Sequence, residues 1–283
     1  MKNQLSTLFS ALIPTLISKL CSLTTLVILL SSTHLYAEVI SEDISSKKVI
    51  KPFIARYDLL KKSDSVGEAV RTLEYNADHS ASYSYKTDAS WFIFTDLREE
   101  TSITKLDDNK ITPTHYYYKR SGTGNNKSYE WTFDVDNDLA SDVKKAKQLT
   151  IQFPEKIQDK LSYQLQLRLD LIKDSAKEIY TYPVISTSGK IKNYTFVNEG
   201  EEIIILPFGE VTAIKLKRDV KDSKKITYAW FAPDLNYLLV RLYQMKNGKS
   251  QFNAELKTVD ILETSAIEQS IEKLSTDDLS TKK

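Results

Sequence analysis

Thiol and imidazole chemistry have almost no residues to work with in this sequence, which holds one cysteine and three histidines in 283 residues. A zinc site draws about four ligands, mostly from His and Cys, so no metal is expected. A serine triad would need His79 or His115 as its base, and no G-x-S-x-G elbow is present to carry the nucleophile. "SGTGNN" at 121–126 has two glycines but lacks the Lys-Ser/Thr ending of a phosphate loop, so it reads as a turn. No cofactor and no catalytic residue is assigned. A formal net charge of +1 gives no electrostatic reason to expect nucleic acid or an anionic membrane surface. Carboxylates are the exception to this scarcity, and 38 acidic residues leave a carboxylate-dependent glycan hydrolase open as an alternative.

The chain also lacks an apolar run long enough to span a bilayer. Lys2 and Lys19 with no acid before Glu38, and the apolar stretch Leu23–Ser32, have the form of a secretory leader ending at Ala37. About ten apolar residues fall short of the roughly 20 that a membrane helix needs, so no stable span is expected after cleavage. Cys21 leaves with the leader, so an oxidising compartment is tolerated and stability must come from the core. The organisation expected is a leader over 1–37, a polar segment over 38–50, one β-rich domain over 51–263 and a charged tail over 264–283.

What the sequence has in quantity is alternation. In "SASYSYK" Ala81, Tyr83 and Tyr85 oppose Ser82, Ser84 and Lys86, and in "SYEWTFD" Tyr129, Trp131 and Phe133 oppose Ser128, Glu130 and Thr132. Each is a strand with one wet face. Turn residues at 107–110, 121–126 and 207–210 reverse the chain between strands. The fold class expected is mainly β, an antiparallel, strongly curved sheet or partly open barrel with one packed helix. "QDKLSYQLQLRLDLIK" supplies that helix, from about Lys160 to Lys173 with Asp159 as N-cap. Its leucines also alternate at period two, so a strand remains the alternative there.

In "TYAWFAPDLNYLLVRLYQ", Tyr228 and Trp230 alternate on one side of "APDLN" and Leu238, Val240 and Leu242 on the other, with Arg241 facing the opposite way. Pro233 fixes φ and Asp234 offers a side-chain acceptor, which makes the stretch a hairpin in which Pro233, Asp234 and Arg241 are structural. Trp230, Phe231, Ala232, Pro233, Asp234, Tyr237, Leu238, Val240 and Arg241, with Pro207, Gly209, Ala213 and Lys215 upstream, resemble the exported bacterial family of unknown function DUF3108. Leu239 departs from it, standing where that family tends to have proline. The resemblance covers roughly Lys51 to Leu262. It implies a β-rich domain in a Gram-negative periplasm and brings no catalytic residues.

With 16 Tyr, 10 Phe and 3 Trp, the one-sided rings Tyr83, Tyr85, Tyr129, Trp131, Phe133, Tyr228 and Trp230 are candidates to line a concave face that holds a lipid or other amphipathic molecule. The alternative is that they are core. The function expected is a non-enzymatic periplasmic binding module for an apolar or amphipathic envelope ligand. The competing reading is an interaction or assembly factor for envelope proteins.

Overall fold

Alternation produces strands wherever one face can be buried. A computed structural model of the protein describes residues 50–61, 64–107, 110–220 and 224–262; the leader, residues 38–49 and the charged tail lie outside the described residues. In β1 (Phe53–Lys61), Phe53, Ala55, Tyr57 and Leu59 are buried and the residues between them are more exposed. The first run continues through β2 (Asp64–Tyr75), β3 (Ala81–Trp91), β4 (Phe94–Asp107), β5 (Lys110–Gly122), β6 (Lys127–Asp134), β7 (Leu139–Asp142) and β8 (Lys147–Thr150). After the helix α1 (Tyr163–Lys173), a second run adds β9 (Ile179–Ile185), β10 (Ile191–Leu206), β11 (Gly209–Val220), β12 (Lys225–Ala232), β13 (Leu238–Lys246) and β14 (Lys249–Ile261).

Each run is an antiparallel meander. The pairing of β1 with β14, with Phe53 opposite Ile261, joins them into one sheet whose free edges are β8 and β9. The segment after β8 reaches the other edge: Ile151 N–H extends the β7–β8 pairing to the Asp138 carbonyl at 2.8 Å, and further on Gln158 exchanges backbone bonds with Pro183 and Ile185 of β9 at 2.9 and 2.8 Å. The result is a curved, unclosed sheet with, among the described residues, one α-helix, the architecture expected from the alternation.

Local chemistry sets the details. Pro113 in β5 lies beside the register slip between Ile103 and Thr104, where a residue without an N–H is tolerated. The chain reverses between Gly122 and Lys127 and between Leu206 and Gly209, within the stretches 121–126 and 207–210 that carry turn residues, while the middle of 107–110 lies outside the described residues. At Gly122, φ is +117° and an added Cβ would stand 2.4 Å from the Thr95 carbonyl oxygen, so no other residue fits.

The β3–β4 turn breaks the usual rule. Phe92 takes φ of 60° and is 99% exposed, at a position where hairpins favour glycine. Left-handed backbone costs a bulky residue about 1–2 kcal/mol, against about 0.5–1 kcal/mol for the freedom glycine loses. Phe92→Gly is therefore expected to stabilise the protein by up to about 1 kcal/mol in chemical denaturation. A destabilised variant would mean that the Phe92 ring makes a contact the fold needs.

The helix starts at Tyr163, three residues later than the sequence suggested, after a turn over 160–162. Leu165, Leu167, Leu169 and Leu171 are all buried. Leu165 and Leu169 join the core that includes Phe53, Tyr83 and Trp131, while Leu167 and Leu171 join a second core with Tyr180, Phe196 and Phe231. A helix enclosed on every side has no polar stripe. That is why its leucines satisfied both helical and strand spacing.

Candidate functional site

A helix enclosed by a sheet must satisfy its polar groups internally. Asp159 is 1% exposed, and its Oδ1 accepts the Leu161 and Ser162 N–H groups at 2.7 Å each, while Oδ2 accepts the Ser102 hydroxyl at 2.5 Å. It caps the turn that delivers the chain to α1, ahead of the helix proper. On β5, the two backbone groups of Ile111 are taken by side chains: Gln166 Oε1 accepts its N–H at 2.8 Å and Gln158 Nε2 donates to its carbonyl at 2.7 Å.

On its other side α1 leaves space. A cavity of about 790 Å³ lies between the helix, β1–β4 and β10–β14, within the range of small-molecule sites. Its apolar lining includes Leu59, Val66, Leu167, Phe196, Phe231 and Leu239. Lys61, Ala89, Asp96, Lys225 and Lys246, all close to hairpin ends, mark one end of it as the mouth.

Deep in this lining sits Arg71, 3% exposed. Its Nη1 donates to Gln164 Oε1 at 2.5 Å and to the Tyr83 hydroxyl at 3.0 Å, and its guanidinium lies 4.2 Å from the Tyr85 ring centre. These partners are neutral. Beside them the Tyr85 hydroxyl is buried with no hydrogen-bond partner among the described residues.

Two carboxylates on one face of β4, Asp96 and Glu100, line the cavity. Asp96 accepts bonds from Arg98 and Arg120 at 2.8–3.4 Å, and these hold its carboxyl below the usual range against the opposing effect of burial. Glu100 accepts the Tyr116 hydroxyl at 2.5 Å, and burial pushes its carboxyl above 4.5 despite Lys160 and that bond. Among the described residues no three His, Cys, Asp or Glu side chains are grouped as a metal site.

Glu100 makes a pH dependence. A carboxyl whose folded value is raised binds its proton more tightly in the native state, so the stability it contributes is complete below pH 4.5 and lost as pH rises through the raised value. Asp159, raised by burial, acts with the same sign. Glu100→Gln is expected to flatten, without abolishing, the fall in stability as pH rises above 4.5, read from urea unfolding. An unchanged slope would assign the proton uptake elsewhere.

Of the seven candidate aromatics, Tyr85 lines the cavity. Tyr83, Trp131 and Phe133 are 3%, 3% and 8% exposed within the core, the last two with rings stacked at 6.5 Å. Tyr129 is half-buried against Tyr118, ring centres 5.9 Å apart. Tyr228 and Trp230 alternate with the cavity-facing Lys225, Thr227, Ala229 and Phe231, which places them on the opposite face of β12. There Trp230 Nε1 donates to Glu202 at 2.6 Å, with the Arg241 guanidinium 5.0 Å from its ring.

The "APDLN" turn is a short 3-10 segment over Pro233–Leu235, followed by Asn236 and Tyr237 at φ of 52° and 54°. Tyr237 N–H closes it onto the Ala232 carbonyl at 2.8 Å, while Asp234 is exposed. Arg241 pairs with Glu255 at 3.3 Å. Sequence reasoning passed over the basic residues of the mouth. Their signal was register: Lys225 and Lys246 lie at the outer ends of one hairpin, and the turn brings them opposite each other.

A curved, unclosed sheet enclosing a helix and a ligand-sized hollow defines a β-barrel-like protein. The chain belongs to the family of proteins of unknown function DUF3108, whose model matches residues 60–257. Among solved structures it is similar to a β-barrel-like protein of the domain of unknown function DUF1849 from Brucella abortus, at 12% identity and a TM-score of 0.52, covering 76% of this chain and 99% of that one. At that identity the likeness concerns the fold alone. A candidate exported protein with a YmcC-like fold from Bacteroides fragilis aligns at 11% identity over 75% of this chain and 96% of its own, with a TM-score of 0.28. No curated protein matches the chain. Among the described residues no helix is long and apolar enough to cross a membrane.

Proposed function

We propose that the protein is a non-enzymatic binding module of the bacterial periplasm that holds an apolar or amphipathic envelope ligand in the hollow beside α1. The observation that carries this reading is the cavity of about 790 Å³, whose lining joins apolar side chains to a Tyr85 hydroxyl that has no hydrogen-bond partner among the described residues. A buried hydroxyl without a partner costs about 1–3 kcal/mol, a cost that a bound polar group removes. Periplasmic placement rests on the leader-like N-terminus, with its paired lysines and short apolar run.

Filling the mouth tests it. Ala89 lines the cavity and is only partly buried, so a larger side chain there projects into the hollow. Ala89→Trp is expected to abolish uptake of a fluorescent fatty acid while the circular dichroism and unfolding midpoint stay those of the wild type. Undiminished uptake would move the ligand out of the cavity.

A second reading, an interaction or assembly factor for envelope proteins, has its own support on the outside of the sheet. Ile203 and Ile205 of β10 are 67% and 79% exposed, and apolar side chains of that size facing solvent on neighbouring pleats favour contact with another protein.

A further inference from the structure

Cations gather at the cavity's mouth. Lys160 comes from the turn before α1, Arg218 from β11, Lys225 from β12 and Lys246 from β13, and all four line the cavity. Lys225 stands directly opposite Lys246, and Arg218 opposite Thr227 two residues along the same strand. Like charges facing each other across a strand pair work against folding. Some lysines on other strands do find acids: Lys215 and Lys217 pair with Glu199, and Lys257 with Asp58 and Glu68. Among the described residues Lys160, Arg218, Lys225 and Lys246 form no ion pair.

The carboxylates in the cavity form no ion pair with them, although Lys160 stands near enough to Glu100 to act on it. Asp96 is committed to Arg98 and Arg120, and Glu100 is held by Tyr116 in surroundings that favour its protonated form. Arg218 is fixed by aromatic contact, its guanidinium 3.6 Å from the Tyr194 ring centre, and stacking of this kind uses the face of the group and leaves its N–H edges for an oxyanion. Lys160 rests 5.3 Å from the Tyr118 ring centre. Burial, and after it Arg218, Lys160, Lys246 and Arg98, hold the Lys225 ammonium below its ordinary value, a sign that these charges feel one another. A site built at this cost to the folded state has a reason outside folding.

We propose that Lys160, Arg218, Lys225 and Lys246 hold the oxyanion head group, carboxylate or phosphate, of an amphiphile whose apolar part lies in the cavity. The inference rests on the cavity being the ligand site and adds the chemistry of the ligand's polar end. Arg218 supplies paired N–H donors and the three lysines supply point charges, the combination that suits a carboxylate or phosphate at the border of an apolar hollow.

The test uses three probes with matched acyl chains: palmitate, dipalmitoyl phosphatidylglycerol, and the uncharged hexadecanol. Wild-type protein is expected to bind at least one anionic probe about tenfold or more tightly than hexadecanol, a difference that weakens with salt. Binding of palmitate alone assigns a carboxylate, and binding of the phospholipid alone a phosphate. Arg218→Glu with Lys225→Glu is expected to remove this preference and leave hexadecanol binding unchanged, and that retained binding also reports the fold. Lys225→Gln provides a gentler check: relief of the repulsion should raise the unfolding temperature of the empty protein while anion binding weakens. Equal affinity for palmitate, the phospholipid and hexadecanol would overturn the head-group inference and leave the cavity reading standing. Failure to bind any of the three would overturn both.

Discussion

Replacing Trp131 by alanine is expected to cost about 3–5 kcal/mol, the range for losing a buried large aromatic. The indole is 3% exposed and stacks on Phe133 with the ring planes 8° apart. It also reaches across the sheet's seam: a Cβ added to Gly189, in the turn between β9 and β10, would lie 3.4 Å from the Trp131 ring and 2.7 Å from Leu149. Trp131 on β6 thus packs against the far end of the second meander and helps keep the unclosed sheet curled. Its Nε1 has no hydrogen-bond partner among the described residues, so what alanine removes is packing. Urea unfolding should show the midpoint fall with the slope unchanged. A loss under about 1 kcal/mol would mean that the core refills the space or that the indole is not the wedge.

Asp159→Ala is expected to cost about 3 kcal/mol. The substitution strips acceptors from two buried backbone N–H groups and the Ser102 hydroxyl, each left unsatisfied at about 1–3 kcal/mol with partial relief as the turn relaxes. Removing a buried carboxyl returns part of that sum, which keeps the net effect below the total of three lost bonds. Asp159→Asn retains one acceptor and should lose less. Because the turn positions Lys160 and Tyr163 in the cavity wall, the alanine variant should also weaken acyl-probe uptake under conditions where it remains folded. Stability within 0.5 kcal/mol of wild type, on the order of an ordinary surface change, would show that α1 needs no cap from this carboxylate.

Strands and turns were legible because their causes are local. Alternation in "SASYSYK" and "SYEWTFD" and the turn residues at 121–126 and 207–210 act over a few positions, and the structure places strands and reversals there. The entry to α1 was less legible. Asp159 has the chemistry of an N-cap, but its bonds to Leu161 and Ser162 close a turn that precedes the helix, a distinction set by tertiary packing. The candidate aromatics expose a deeper limit. Alternation reveals which residues share a face of a strand, whereas the direction in which the sheet curls decides which face becomes the hollow. Tyr228 and Trp230 share a face, and it is the one opposite the cavity. The basic mouth joins the pre-helix turn to three successive strands, β11, β12 and β13, and it is their register and the docking of the turn against them that bring the four cations together.

We propose that the hollow beside α1 holds an amphiphile. The most direct test is mass spectrometry of an organic extract of the protein from Glu38 onward, purified without detergent from the envelope fraction of its own source. The account predicts one class of acyl-chain molecule with a carboxylate or phosphate head, retained at near one per protein and lost in Ala89→Trp. A protein that is empty as purified, and still empty after incubation with total envelope lipids, would contradict it.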